Sequence, residues 1–252
     1  MNSAGRSEIG LCRATNEDSI LKSDTKIGCL PNLYIVADGM GGHKAGEVAS
    51  SEAIKFFCDY IEKNRECRLK ENYEYIDMIK KAISYANKEI NEMSKHDENL
   101  IGMGTTFVVA VIKDKFLIVE NIGDSRLYLI RDNEMVQITI DHTYVMELVK
   151  EGSISKEEME NHPIKNVITR AVGTEEDVLA DSFEIEIKKG DIVVMCSDGL
   201  SNMVKENEIA DIIFKSENID KAAEILVEQA NKNGGTDNIS VIVIDAYKEV
   251  IE

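Results

Sequence analysis

The sequence predicts an α+β fold in which antiparallel sheets pack together with helices outside. Three observations carry this. Short β-rich runs separated by three- or four-residue polar turns fill residues 105–138, and amphipathic helical stretches lie on either side of that block. The third observation is size. At 252 residues, 43% hydrophobic and 30% charged, the chain can bury a large core without disulfide or metal staples. Pro occurs only at Pro31 and Pro163, and no Ser/Gly tract or internal repeat is present, so residues 1–252 read as a single domain.

The elements follow in order. Residues 33–37 (LYIVA) form an apolar run closed by glycines and read as a buried strand. Residues 47–63 read as a helix with Ala49, Ala53, Phe56, Phe57 and Tyr60 on its apolar side. In residues 76–93, Ile76, Ile79, Ile83, Ala86, Ile90 and Met93 recur at three- and four-residue steps, one stripe suited to packing on a sheet. Runs 105–112, 116–122, 126–130 and 135–138 read as strands whose short turns join antiparallel neighbours. A polar stretch of weak periodicity covers residues 141–173. Strands at 182–187 and 192–196, helices at 206–214 and 219–231, and a strand at 239–246 complete the pattern.

Charge narrows the function. With 29 Lys and Arg against 47 Asp and Glu, the net charge is -18. That argues against nucleic acid, which is bound by neutralising phosphates, and against anionic membrane surfaces. The longest apolar runs are strand length, too short to span a bilayer. The N-terminal segment lacks the apolar core of a signal peptide. The five Cys are odd in number and contain no C-x-x-C pair, which predicts reduced, mostly buried thiols in a cytoplasmic protein.

Acidic clusters stand where strands are expected to end: residues 13–18 (RATNED), 37–43 (ADGMGGH), 197–200 (SDGL) and 234–238 (GGTDN), with 123–126 (GDSR) between two strands. One Asp-Gly pair is ordinarily a turn former. Several that converge cannot stay ionised together without cations, and oxygen-only ligands favour hard ions such as Mg²⁺ or Mn²⁺. The glycines after Asp38 fit neither G-x-G-x-x-G nor a P-loop. Arg13 suits bidentate capture of a phosphate, and equally a surface pair with Glu17. Beside carboxylates able to hold two metals, it gives the layout for metal-assisted phosphoester hydrolysis. Among other candidates, His43 and His142 adjoin acidic motifs and could serve acid–base work, though in isolation each reads as structural. His96 and His162 read as solvated. Cys196 reads as a strand-buried thiol rather than a nucleophile.

In order along the chain stand R-x-x-N-E-D from Arg13, A-D-G-M-G-G-H from Ala37, G-M-G-T-T from Gly102, N-I-G-D-S-R from Asn121, D-H-T from Asp141, N-V-I-T-R-A-V-G from Asn166, C-S-D-G-L from Cys196 and G-G-x-D-N-I from Gly234. In this order the chain resembles the bacterial type-2C (PPM family) metal-dependent protein serine/threonine phosphatases, from Arg13 to Ile239. The resemblance implies a four-layer α/β/β/α sandwich, two antiparallel β-sheets face to face flanked by helices. It implies two Mn²⁺ or Mg²⁺ ions bridged by Asp38, with the Gly39 carbonyl completing one. Asp198 and Asp237 would bind the other, Glu17 and Asp18 would act through water, and Asp124 would help bind a third ion. Arg13 would hold the substrate phosphate. Residues 143–172 would be a flap subdomain that influences substrate choice. A water activated between the ions would hydrolyse phosphoserine and phosphothreonine in proteins directly and in line. By the same resemblance the chain would act as a monomer opposing a eukaryotic-type Ser/Thr kinase. Met40 departs from eukaryotic relatives, which carry a histidine proposed as general acid there. His43 is the possible proton donor in its place, alongside metal-bound water.

Overall fold

The computed structural model describes residues 2–41 and 45–246. The strands are β1 (Asn2–Glu8), β2 (Asp18–Ser23), β3 (Leu33–Met40), β4 (Gly104–Thr105), β5 (Phe107–Lys113), β6 (Phe116–Ile122), β7 (Arg126–Arg131), β8 (Glu134–Gln137), β9 (Asp181–Glu186), β10 (Ile192–Cys196) and β11 (Ile239–Asp245). The helices are α1 (Ala45–Lys63), α2 (Asn72–His96), α3 (Tyr144–Lys150), α4 (Lys156–Glu160), α5 (Asp198–Ser201), α6 (Glu206–Lys215) and α7 (Ile219–Lys232). One sheet runs β1-β11-β10-β7-β8, the other β2-β3-β5-β6-β9 with β4 beside β3. Neighbouring strands pair antiparallel throughout.

Side-chain alternation along the strands explains the layers. In β3, Leu33, Ile35 and Ala37 face α1 and α2, packing with Phe57, Ile61, Ile79, Ile83 and Ile90. Tyr34 and Val36 point the other way, into an interface with Leu127, Val193, Met195, Ile242 and Ile244 of the second sheet. That sheet buries Tyr128, Val194, Val241 and Val243 against Ile209 of α6 and Leu226 of α7. Strands buried on both faces read as continuous apolar runs, which is why 107–112 shows no alternation. Each fully buried Ile or Leu contributes about 1.5–3 kcal/mol. The result is the expected four-layer α/β/β/α sandwich.

Several boundaries move for identifiable reasons. β3 continues past Ala37 through Asp38 to Met40, because Asp38 pairs across the strands with Asp18. Asp38 is therefore a strand residue and not a turn former. α2 begins at Asn72, four residues before its apolar stripe, because Glu71 and Glu74 form a reciprocal capping box. β1 (NSAGRSE) has no strand-forming composition, yet all seven residues pair with β11. Tertiary pairing overrides propensity there. The weakly periodic stretch holds α3 and α4, capped by Thr143 and Ser155. All five cysteines are free, but only Cys29 and Cys196 are buried, and Cys12 is exposed, so the thiols are less buried than expected. Among the described residues no helix is long and apolar enough to cross a membrane.

Candidate functional site

The strand alternation that builds the core also aims the acids. Asp38 follows Tyr34 and Val36 on the inter-sheet face of β3, and Asp18 opens β2 directly opposite it. Asp198 is the first residue of α5, immediately after β10, and Asp237 lies in the turn before β11. Asp124 sits in the turn between β6 and β7. The six-stranded sheet thus supplies Asp18 and Asp38, and the five-stranded sheet carries Asp198 and Asp237 at its strand ends.

Hydroxyls and one amide fix these positions. The Asp38 amide donates to Thr106 Oγ1 at 2.9 Å, and the Asp38 carbonyl accepts from the Thr106 amide and from Thr105 Oγ1, both at 2.9 Å. Thr106 Oγ1 in turn meets Ser125 Oγ at 2.7 Å, tying Asp38 to the turn that carries Asp124. Ser197 Oγ donates to Asp18 Oδ2 at 2.7 Å and accepts from the Ser240 amide at 3.0 Å, linking the two sheets. Asn238 anchors the N-terminal loop. Its Oδ1 accepts from the Glu17 amide at 2.8 Å, and its Nδ2 donates to the Ile9 and Thr15 carbonyls. Sequence reasoning singled out none of Thr106, Ser197 and Asn238 as positioning residues. The available signal was polar side chains next to apolar strands with no turn to serve.

Two glycines are needed for close approach. A Cβ on Gly39 would lie 2.0 Å from the Gly46 carbonyl oxygen, where the first turn of α1 crosses β3. Gly39 is thus forced by packing, in addition to any role for its carbonyl. A Cβ on Gly199 would lie 1.9 Å from the Asn238 carbonyl oxygen. Gly199→Ala must push α5, and Asp198 with it, off β11. We expect destabilisation of about 3 kcal/mol or more, read as a lower midpoint in chemical denaturation.

The electrostatics are those of uncompensated negative charge. Burial raises Asp38 well above the usual carboxylate range, reinforced by Asp18, Asp198, Asp124 and Asp237. Asp18 is pushed up to about 6 by burial, against hydrogen bonds from Ser197 and Ser240. Asp124 is pushed up to about 7, by burial and then by Asp198 and Asp141. Asp198 is raised by burial and by Asp237, while a hydrogen bond with Asp38 opposes this. Glu17 is raised too, chiefly by burial. Asp18 Oδ1 is buried with no hydrogen-bond partner. As placed, no three Asp, Glu, His or Cys among the described residues form a ready cation cage. The case for a cation therefore rests on the raised carboxylates, the orphaned Asp18 oxygen and the all-oxygen donor set, which together fit hard divalent ions.

Arg13 is the cation paired with this acidic cluster. Its Nη2 pairs with Asp237 Oδ2 at 2.8 Å, not with Glu17 as the sequence offered, and its side chain is 47% exposed. Burial is the largest single influence on the Arg13 pKa and lowers it, but Asp237, by charge and hydrogen bond, together with Glu17 and Asp38 holds it above its usual value. The open cleft beside the acids has a volume of about 770 Å³ and includes Asp124, Asp198, Lys165 and Lys205 in its lining.

The rival chemistry finds no support. His142 is buried. Its Nδ1 accepts from the Gly123 amide at 3.1 Å, so its Nε2 carries the proton and faces Asp181 Oδ2 at 3.1 Å. Arg170 Nη1 donates to the other oxygen of Asp181 at 2.9 Å. Burial pulls the His142 pKa down, so it is a neutral strut between the Asp124 turn and β9. The Cys196 thiol is buried and pushed up to about 12, inert as a nucleophile. His96 is exposed and His162 half-buried. His43 lies outside the described residues.

A family model described as "Protein phosphatase 2C" matches residues 13–233. A serine/threonine phosphatase of Listeria welshimeri is 38% identical over 245 residues, covering 97% of this chain and 96% of the relative. The structure of the S. agalactiae serine/threonine phosphatase superposes with a TM-score of 0.88 at 35% identity, covering 96% of this chain and 98% of that one. The catalytic domain of the phosphatase PstP, in complex with two manganese ions, gives 0.81 at 35% identity, covering 96% of each chain. Motif order, sandwich and whole-chain similarity agree, and the chain belongs to the protein phosphatase 2C family.

Proposed function

We propose that this protein removes phosphate from phosphoserine and phosphothreonine in proteins, by direct hydrolysis at the acidic centre. It is a metal-dependent phosphoprotein phosphatase, a phosphoric monoester hydrolase. One observation carries the reading. Asp38 faces Asp18 across β2 and β3, shares a hydrogen bond with Asp198 and lies within electrostatic reach of Asp124 and Asp237, and Arg13 pairs with Asp237.

Asp38 would be the shared ligand of two ions, with Asp198 and Asp237 helping to hold one of them and the Gly39 carbonyl the other. Two manganese ions in PstP make two the expected number. Glu17 and Asp18 would act through water, and Asp124 would help bind a third ion. When bound, Mn²⁺ or Mg²⁺ supplies Lewis acidity, for activating water and offsetting phosphoryl charge. Arg13 keeps N–H donors beyond the one given to Asp237 and takes the phosphate oxygens. No covalent phosphoenzyme is required, in keeping with the inert Cys196 and the neutral, fully engaged His142. The leaving alkoxide takes its proton from water or from His43. Residues 143–172, which carry α3 and α4 and expose Tyr144 and Val167, form the flap. A cytoplasmic setting and a cognate Ser/Thr kinase complete the reading.

The test is phosphate release from phosphoserine, phosphothreonine and phosphotyrosine peptides, with Mn²⁺ and with EDTA. Turnover of the first two that EDTA abolishes is expected. Turnover in EDTA, or none on any peptide, overturns the reading.

A further inference from the structure

The metal-side cleft does not end at the acids. A second open cavity of about 570 Å³ lies between β8 and α6, and Glu206 and Asn207 line both spaces. Met135, Ala210 and Phe214 supply its apolar surface, and Phe214 is 46% exposed. Glu206 and Asp211 supply its charge, and no Lys or Arg is among its described lining residues. Asp211 pairs with Lys215 at 2.6 Å, but both are well exposed, and an exposed pair of this kind is weak enough for another cation to compete. Neither the catalytic reading nor the flap uses this cavity.

We propose that the β8–α6 cavity is a docking subsite for the substrate polypeptide, taking a basic residue and then an apolar residue on one side of the phosphorylated Ser or Thr. The proposal rests on the phosphatase reading and adds a substrate preference to it. Continuity argues for the substrate as occupant, because a chain leaving the metal-side cleft past Glu206 enters this cavity. Charge argues for the order. The metal-side cleft carries Arg126, Lys165 and Lys205 among its acids, whereas the charged residues lining the annex are the carboxylates Glu206 and Asp211, so a cation on the substrate finds its complement there. The helix geometry sets the spacing. Glu206 to Phe214 spans two turns of α6, about 12 Å, which an extended peptide covers in about four residues. The basic side chain meets Glu206 and Asp211, and the apolar one rests on Phe214 and Met135.

The experiment uses phosphothreonine peptides in which an Arg-Leu pair is moved stepwise away from the phosphoresidue on either side. Matched peptides carry Glu-Ser instead. Phosphate release is followed with Mn²⁺ on the wild-type protein and on the Asp211→Lys/Phe214→Ser variant. One register should lower KM about fivefold to tenfold against its Glu-Ser partner with kcat little changed, the size of one or two modest contacts. The variant should lose that difference while hydrolysing p-nitrophenyl phosphate at the wild-type rate, which also shows that it is folded. Equal KM values in every register, or a preference that survives in the variant, overturns the docking site while leaving the phosphatase reading intact. No turnover of any phosphopeptide by the wild-type protein overturns both.

Discussion

Asp38→Asn lowers turnover of p-nitrophenyl phosphate with Mn²⁺ by about three orders of magnitude, the scale set by losing a group that organises transition-state charge. No neighbour can replace it. Asp38 is the residue on which Asp18, Asp198, Asp124 and Asp237 all act, and its backbone is locked by Thr105 and Thr106. The same substitution should raise the melting temperature of the protein in EDTA at pH 8, because it removes a charge that burial and four carboxylates disfavour. The two readouts move in opposite directions, which separates loss of a ligand from loss of the fold. Retention of a tenth or more of the activity would show that Asp38 is not the central ligand.

Metal and pH act on the same balance. In EDTA the melting temperature should fall as pH rises from 5 to 8. The native values of Asp18, about 6, and Asp124, about 7, lie above the unfolded carboxylate value, so the folded protein binds the extra protons. Their stabilisation is fully present below the unfolded value and is lost as pH rises through about 6 and then about 7. Asp38, raised as well by burial and its neighbours, adds to the decline. His142, held neutral, has the opposite sign and gains up to its unfolded value of about 6.5, offsetting part of the fall. For Asp18 alone, a shift of about two units is of order 3 kcal/mol. At roughly 2–4 °C per kcal/mol for a chain of this size, the decline amounts to several degrees. Mn²⁺ should reverse the slope, raising the melting temperature more at pH 8 than at pH 5, because it binds only the deprotonated cluster. A thermal shift series at five pH values with and without Mn²⁺ measures both. A stability in EDTA that rises steadily to pH 8 would contradict the raised carboxylates.

Much of this was visible before any coordinates, and for definable reasons. Strands such as 107–113 announce themselves because both faces are buried, and α2 because its stripe of Ile79, Ile83, Ala86 and Ile90 is buried on one side only, against α1 and the sheet. The acids stood out because Asp is a poor strand former and recurred beside apolar runs. β1 stayed hidden because nothing local specifies it; its seven residues are ordered by the backbone of β11. The same limit applied to the support of the site. Asn238 carries a loop more than 200 positions away in sequence, and Asn87 and Asn91 hold the 173–176 turn from the buried side of α2. Such roles are relations between distant segments, and a chain read in order marks them only as polar residues beside apolar strands, without their partners.

The origin of the acids in two different sheets has a dynamic consequence. Apart from links such as Ser197 to Asp18, the sheets meet through an apolar interface, which resists separation but does not pin one point to another. On the proposed reading, an ion held by Asp38 on one side and Asp198 and Asp237 on the other would be a clasp at that end of the sandwich. Closing it makes transient parting of the two sheets rarer there, and the gain appears as slower amide exchange at Asp38, Thr106 and Ser240, with little change at the far end of the same strands. Loading the site then sets how often the enzyme breathes as well as whether it reacts.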